Sequence, residues 1–191
     1  YSELTRIDPE TFVSEVVIDI PFKHSNSYVF SLLSDTSRSN IWIGYNNGLF
    51  LYNTELETYK FFDIPSDKDY PLISMLIDDE GNIWASSYWA IIKFSVVKKE
   101  FEIYPSGDAI SISRFFENSC YKSRGGKLFF GGQDGYLSFY PNTITKSDYS
   151  PPLRFTKLVI ANNEILPSTS LNDKYILDKD ISFTNEIVLD Y

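Results

Sequence analysis

Three stretches of the chain repeat one pattern. They are Ile41-Trp42-Ile43-Gly44 with Asn47-Gly48-Leu49-Phe50, Ile83-Trp84-Ala85 with Ala90-Ile91-Ile92, and Leu128-Phe129-Phe130-Gly131 with Asp134-Gly135-Tyr136-Leu137. Trp42 and Trp84 are 42 residues apart, and Trp84 and Phe129 are 45 apart. A strand, turn, strand unit returning at this period belongs to a repeat architecture, in which each unit leaves apolar surface for its neighbour to cover. Function is then to be sought on a surface the units share and not in one catalytic cleft.

Each unit has the same internal grammar. In the first, Tyr28 to Leu33 forms an inner run, a polar turn follows from Ser34 to Asn40, and Ile41 to Tyr45 leads into the Asn46-Asn47-Gly48 turn. Leu49 to Tyr52 and Thr58 to Phe62 complete four short strands, the content of one antiparallel blade. The Asn-Gly pair tolerates positive φ and is a strong hairpin signal. The second unit turns at Ser87-Tyr88-Trp89, where two large aromatics stand near a position expected to be Gly and point to contact with something. The third is longer by three residues, which its sequence places between Glu117 and Gly126.

Residues 1–20 match the second half of a unit, so the chain is expected to open in mid-blade. Residues 21–149 are expected to form three propeller blades. After Tyr140 the period stops at Pro141, Ser150, Pro151 and Pro152, and a different kind of segment starts at Leu153. The fold class expected is all-β: a partial β-propeller of four-stranded antiparallel blades, followed in residues 150–191 by another domain.

The units resemble the two-component regulator propeller repeat, whose core reads roughly Ile-Trp-Ile-Gly, a short turn, Gly-Leu, an aromatic and an Asn or Asp. The tail resembles the opening of the immunoglobulin-like Y_Y_Y domain that follows such propellers in Bacteroides-type hybrid two-component sensors. That likeness rests on Pro151 to Leu158, on Asn162-Asn163 and on Ile181 to Leu189. The resemblance implies a periplasmic portion of an inner-membrane protein, with a membrane helix, histidine kinase and receiver modules elsewhere in the polypeptide. It also implies recognition of glycan breakdown products and regulation of polysaccharide-utilisation genes. Residues 150–191 would be a truncated N-terminal part of the sandwich.

Composition fits a packed, water-exposed domain, with 43% hydrophobic, 23% charged and 17% aromatic residues. A net charge of −9 and the lack of a Lys/Arg cluster argue against nucleic acid. Cys120 stands alone, which excludes an internal disulfide. No run of 18 apolar residues occurs, so no direct membrane contact is expected in this segment.

No catalytic residue, metal site or cofactor is expected. His24 is the single histidine and has no Cys partner, which leaves zinc and a Ser-His-Asp triad without their other members. The acidic stretch Asp78-Asp79-Glu80-Gly81-Asn82 invites a calcium reading but lacks the spaced ligands and closing Glu of a binding loop, so it is read as a hairpin turn. Its adjacent carboxylates do not straddle a sugar ring as glycosidase acids must.

Propeller logic puts the second-to-third strand turns on the same face as the connections between blades. That face would display Tyr45, Asn46, Asn47, Tyr88, Trp89, Gln133 and Asp134, together with His24, Asn26, Asp69, Tyr70, Ser106 and Asp108 from the connectors. An oligosaccharide needs a flat apolar surface for its C–H face and amides or carboxylates for its hydroxyls, and this set supplies both. Packing of Tyr88 and Trp89 on the neighbouring blade is the structural alternative. Trp42, Trp84 and Phe129 are assigned to the structural repeat core. Cut blade flanks and open strand edges would favour a homo-oligomer, or cover by the rest of the sensor polypeptide. The alternative to a binding and relay module is a structural or protein-interaction segment with no small-molecule site. A propeller enzyme comes third.

Overall fold

The computed structural model describes residues 3–22, 27–35, 39–107, 110–144, 156–160, 162–167, 170–171, 174–175, 177 and 179–183. Two compact units divide the chain, Tyr1–Thr145 and Lys146–Tyr191. In the first, β1 (Glu3–Ile7) and β2 (Ser14–Asp19) form a hairpin. Next come β3 (Val29–Ser34), β4 (Asn40–Tyr45), β5 (Gly48–Asn53) and β6 (Thr58–Asp63), which pair in sequence order as one antiparallel sheet. A second such sheet holds β7 (Ser74–Ile77), β8 (Ile83–Ser87), β9 (Ala90–Ser95) and β10 (Glu100–Pro105).

The third sheet shows three of its expected four strands among the described residues. It contains β11 (Phe115–Lys122), β12 (Leu128–Gly132) and β13 (Gly135–Phe139), followed by a 3-10 turn at Pro141–Thr143. A fourth strand in register would fall on residues 145–150, which lie outside the described residues. The extra residues of this unit form a bulge in β11. Phe115 pairs with Gly132 and Cys120 with Phe130, so residues 116–119 stand opposite Gly131. Asn118, inside the bulge, has a φ of 53°.

Stacking of blades explains why the middle sheet is apolar on both faces. β8 is buried along its whole length, and Ile83, Ala85, Ile92 and Phe94 join Trp42, Leu49 and Phe62 between the first and second blades. Trp84, Ile73 and Ile91 meet Leu128, Phe130, Leu137 and Phe139 between the second and third. The β1–β2 hairpin caps the outer side of the first blade, where Leu4, Val17 and Ile18 pack with Ile43, Phe50 and Tyr52.

Serines on the inner strands tie each blade to the next. Ser31 Oγ donates to the Leu72 carbonyl at 2.5 Å, and Ser74 Oγ donates to the Phe116 carbonyl at 3.2 Å while accepting from the Ser119 N–H at 3.1 Å. The acidic turn has a structural task. Buried Asp78 accepts from Asn82 N–H at 2.8 Å, Glu80 N–H at 3.0 Å, Asn82 Nδ2 at 3.1 Å and the Trp84 indole at 2.9 Å. It fixes both the turn and the repeat tryptophan.

Phe129 corrects the expectation of three equivalent core aromatics. Trp42 and Trp84 are 5% and 1% exposed, whereas Phe129 is half-buried. It lies beside Tyr121 and Tyr136, both exposed, with Lys127 over its ring. Its side of the third blade bears these exposed rings, whereas Trp42 and Trp84 each face the blade that follows them.

In the second unit, β14 (Val159–Ile160) and β15 (Asn163–Glu164) form a hairpin, as do β16 (Ser170–Leu171) and β17 (Lys174–Tyr175). Ile165, Leu177 and Ile181 make a small core with Leu158 and Ile160. Ile181–Phe183 is a 3-10 turn. Residues 151–155 and 184–191, which carry much of the tail resemblance, lie outside the described residues.

Candidate functional site: the turn and connector face

The turns of the blades are bonded to the connectors, which places both on one face. The second turn residue of each of the first two blades offers its carbonyl: Asn47 to the Ile64 N–H and Trp89 to the Ser106 N–H, both at 2.9 Å. Tyr45 and Tyr88 carbonyls accept from Leu72 at 3.1 Å and Phe115 at 2.8 Å, where the chain enters the next blade. In the third blade the Gln133 N–H donates to the Arg114 carbonyl at 2.9 Å. Repeated clamps of this kind make the face a rigid backbone frame.

Within that frame the expected ligand contacts separate. Tyr45 is not displayed: it is 6% exposed, its ring packs against Phe22 and Phe61, and its hydroxyl donates to Asp63. Burial and the Asp63 carboxylate push its pKa far up. Asn46 Oδ1 accepts from the Tyr28 N–H, and Asn47 Nδ2 donates to the Ile64 carbonyl at 3.3 Å. These three residues shape the first turn. Tyr70 is buried with the core, while Ser106 hides its hydroxyl. His24, Asn26 and Asp108 lie outside the described residues.

Tyr88 and Trp89 form the accessible aromatic platform, with ring centroids 5.6 Å apart. Trp89 is 50% exposed. Tyr88 packs on the next blade, as the structural alternative expected: Arg114 lies 4.7 Å over its ring and its hydroxyl donates to Glu117 at 2.8 Å. The Glu117 bond is the main cause raising the Tyr88 pKa. The bulge of β11 carries Glu117, and it also leaves Phe116 exposed beside it in the chain. Arg114 and Glu117, which hold Tyr88 on this face, were not singled out from the sequence. The extra length of the third unit was the available signal.

Gln133 and Asp134 are exposed. Asp134 accepts from the Ser113 N–H at 3.0 Å and from its hydroxyl, and those bonds hold its carboxyl below its ordinary value of 3.8. A carboxyl depressed in the folded state contributes stability above its unfolded pKa, and that contribution is lost as pH falls through the folded value. Carbon-detected NMR titration is expected to place the Asp134 midpoint below 3.8, and Ser113→Ala is expected to raise it. A wild-type midpoint at or above 3.8 would remove this clamp from the account.

A second concavity lies between the second and third blades, about 580 Å³ in volume and mostly apolar. Trp84, Tyr104, Ile110, Leu137 and Phe139 line it. Among the described residues, no three His, Cys, Asp or Glu side chains gather as metal ligands, and no helix is long and apolar enough to cross a membrane.

Known proteins give this geometry a context. A histidine kinase of Formosa agariphila, Histidine kinase P4, is 33% identical over 147 residues, covering 76% of this chain. The extracellular domain of the hybrid two-component system BT4673 from Bacteroides thetaiotaomicron superposes with a TM-score of 0.59 at 20% identity, over 72% of this chain. That of BT3049 from the same organism gives 0.58 at 22% identity, over 78%. The chain has the blade fold of hybrid two-component extracellular domains. It spans 10% of the Formosa kinase and about a fifth of each solved domain, 19% and 20% respectively. No family model matches the chain. The likeness to this sensor fold therefore rests on the blades themselves and on these relatives.

Proposed function

We propose that this chain belongs to the extracytoplasmic, periplasmic region of a hybrid two-component sensor, and that its turn and connector face receives an oligosaccharide released by glycan breakdown. The observation that carries the reading is Trp89, a half-exposed indole on a turn whose backbone is clamped to the connector by the Ser106 N–H. A pre-positioned flat ring binds a sugar C–H face with little ordering cost. Gln133, Asp134 and Glu117 on the same face offer an amide and carboxylates to hydroxyls. In this reading the second unit relays a change of position toward the membrane, and the parent kinase regulates polysaccharide-utilisation genes. The similarity to a histidine kinase and to sensor domains supports the assignment.

Calorimetric titration of the longer extracytoplasmic region and of the 191-residue chain against size-defined plant, host and microbial oligosaccharides tests it. Both should bind one class of glycan, and Trp89→Ala should weaken binding roughly tenfold or more, about 1.4 kcal/mol. Binding by neither protein, with a protein partner retained, would favour the interaction-segment reading.

A further inference from the structure

Arg114 joins the turn and connector face from the segment that leads into the third blade, and it is fixed there twice. Its carbonyl accepts from the Gln133 N–H at 2.9 Å, and its guanidinium lies 4.7 Å over the Tyr88 ring. The residue is exposed, and among the described residues no carboxylate stands within ion-pair distance of it. The two carboxylates nearest in the fold are directed elsewhere. Glu117 accepts from the Tyr88 hydroxyl at 2.8 Å, and Asp134 accepts from the Ser113 N–H at 3.0 Å and from its hydroxyl.

This is an unusual state for an arginine in a chain with 26 acidic and 17 basic residues. Stacking on an aromatic ring fixes the plane of the guanidinium and leaves its N–H edges free, and those edges match two oxygens of one anionic group. Tyr88 also meets Trp89, with ring centroids 5.6 Å apart. The open fork and the half-exposed indole are therefore set around one shared ring, a separation that neighbouring residues of a single oligosaccharide bridge.

We propose that the oligosaccharide received on this face is acidic: a carboxylate or sulfate ester takes the fork of Arg114 while the C–H face of an adjacent sugar ring lies on Trp89. The inference rests on the face being an oligosaccharide site and names the class of its ligand. The net charge of −9 does not oppose it, because the fork acts at contact distance, whereas exposed charges farther off than a Debye length are largely screened. Glu117 and Asp134 act against densely charged ligands, and their remaining lone pairs accept from sugar hydroxyls.

Calorimetric titration of the 191-residue chain with two matched pairs of probes tests the assignment. One pair is xylotriose bearing a single glucuronate and its carboxyl-reduced form; the other is a galactose disaccharide bearing one sulfate ester and its desulfated form. An acidic member should bind roughly tenfold or more tightly than its neutral twin, as expected of charge-assisted hydrogen bonds. The pair that shows the difference tells carboxylate from sulfate. Arg114→Gln should abolish the advantage and leave the affinity of the neutral twin unchanged, while Arg114→Lys, which keeps the charge but not the fork, should retain only part of it. Unmoved Trp42 and Trp84 indole signals establish that the variants are folded. Equal binding of acidic and neutral twins, or an acidic preference that survives Arg114→Gln, would overturn the proposal and leave the oligosaccharide site standing. Binding of neither pair would also overturn it; binding of other neutral sugars would then preserve the site, and silence from every oligosaccharide would remove both.

Discussion

Trp84→Ala is expected to destabilise the first unit by about 3–5 kcal/mol, near the upper end for a single core truncation. Its indole is 1% exposed, packs against Phe139 with centroids 4.9 Å apart, stacks on Tyr104 at 5.9 Å and lies under the Lys93 ammonium. Truncation opens a cavity between two blades and removes the indole donor from Asp78, a buried carboxylate left with one acceptor site fewer in use. Phe129→Ala at the corresponding repeat position should cost only about 1 kcal/mol, roughly half the transfer energy of a fully buried Phe, because its neighbours lie on one side. Urea unfolding of the two variants measures the difference. Similar losses would mean that the flank of the third blade is covered.

Gly44→Ala should be the second large effect, about 1–3 kcal/mol, although it adds a single methyl group. A Cβ at this position would sit 2.5 Å from Ser31 Oγ, 2.6 Å from the Leu72 carbonyl oxygen and 2.9 Å from Leu72 Cβ. These are the atoms of the serine tie between the first two blades, so the methyl must either break the bond or part the sheets. Adding Ser31→Ala should restore only part of the loss, since the Leu72 contacts are to backbone and Cβ and remain. Gly125→Ala meets nothing within 4 Å and should be close to neutral. Thermal unfolding of the set distinguishes interface overpacking from a general intolerance of Gly replacement. A neutral Gly44→Ala would show that the blades are less closely packed than described.

Much of the fold was legible because blades write their geometry into period and turns. The 42- and 45-residue spacing located the sheets, and the unit grammar put turns and connectors on one face. Tyr45 was misplaced by proximity to its turn. Strand alternation puts it on the same side as Ile43, facing the preceding hairpin, and that signal was present in the sequence. Phe129 could not be separated from Trp42 and Trp84, because burial of a repeat aromatic depends on whether another blade follows it in space. Arg114 and Glu117 meet Tyr88 across a blade junction through a bulge, and such pairings leave no local pattern. Asp78 looked like a turn carboxylate. Its four donors, one of them an indole, converge only after the hairpin closes.

The central claim, a ligand seated on the turn and connector face, is tested most directly by the indole N–H signals of the chain's three tryptophans. Trp42 and Trp84 are buried between blades, and Trp89 alone among them is exposed. On NMR titration with the oligosaccharides of the calorimetric panel, the account predicts that the Trp89 indole shifts and saturates while the Trp42 and Trp84 indoles stay in place. Movement of the Trp84 signal with Trp89 unchanged would put the ligand in the cleft between the second and third blades and contradict the account.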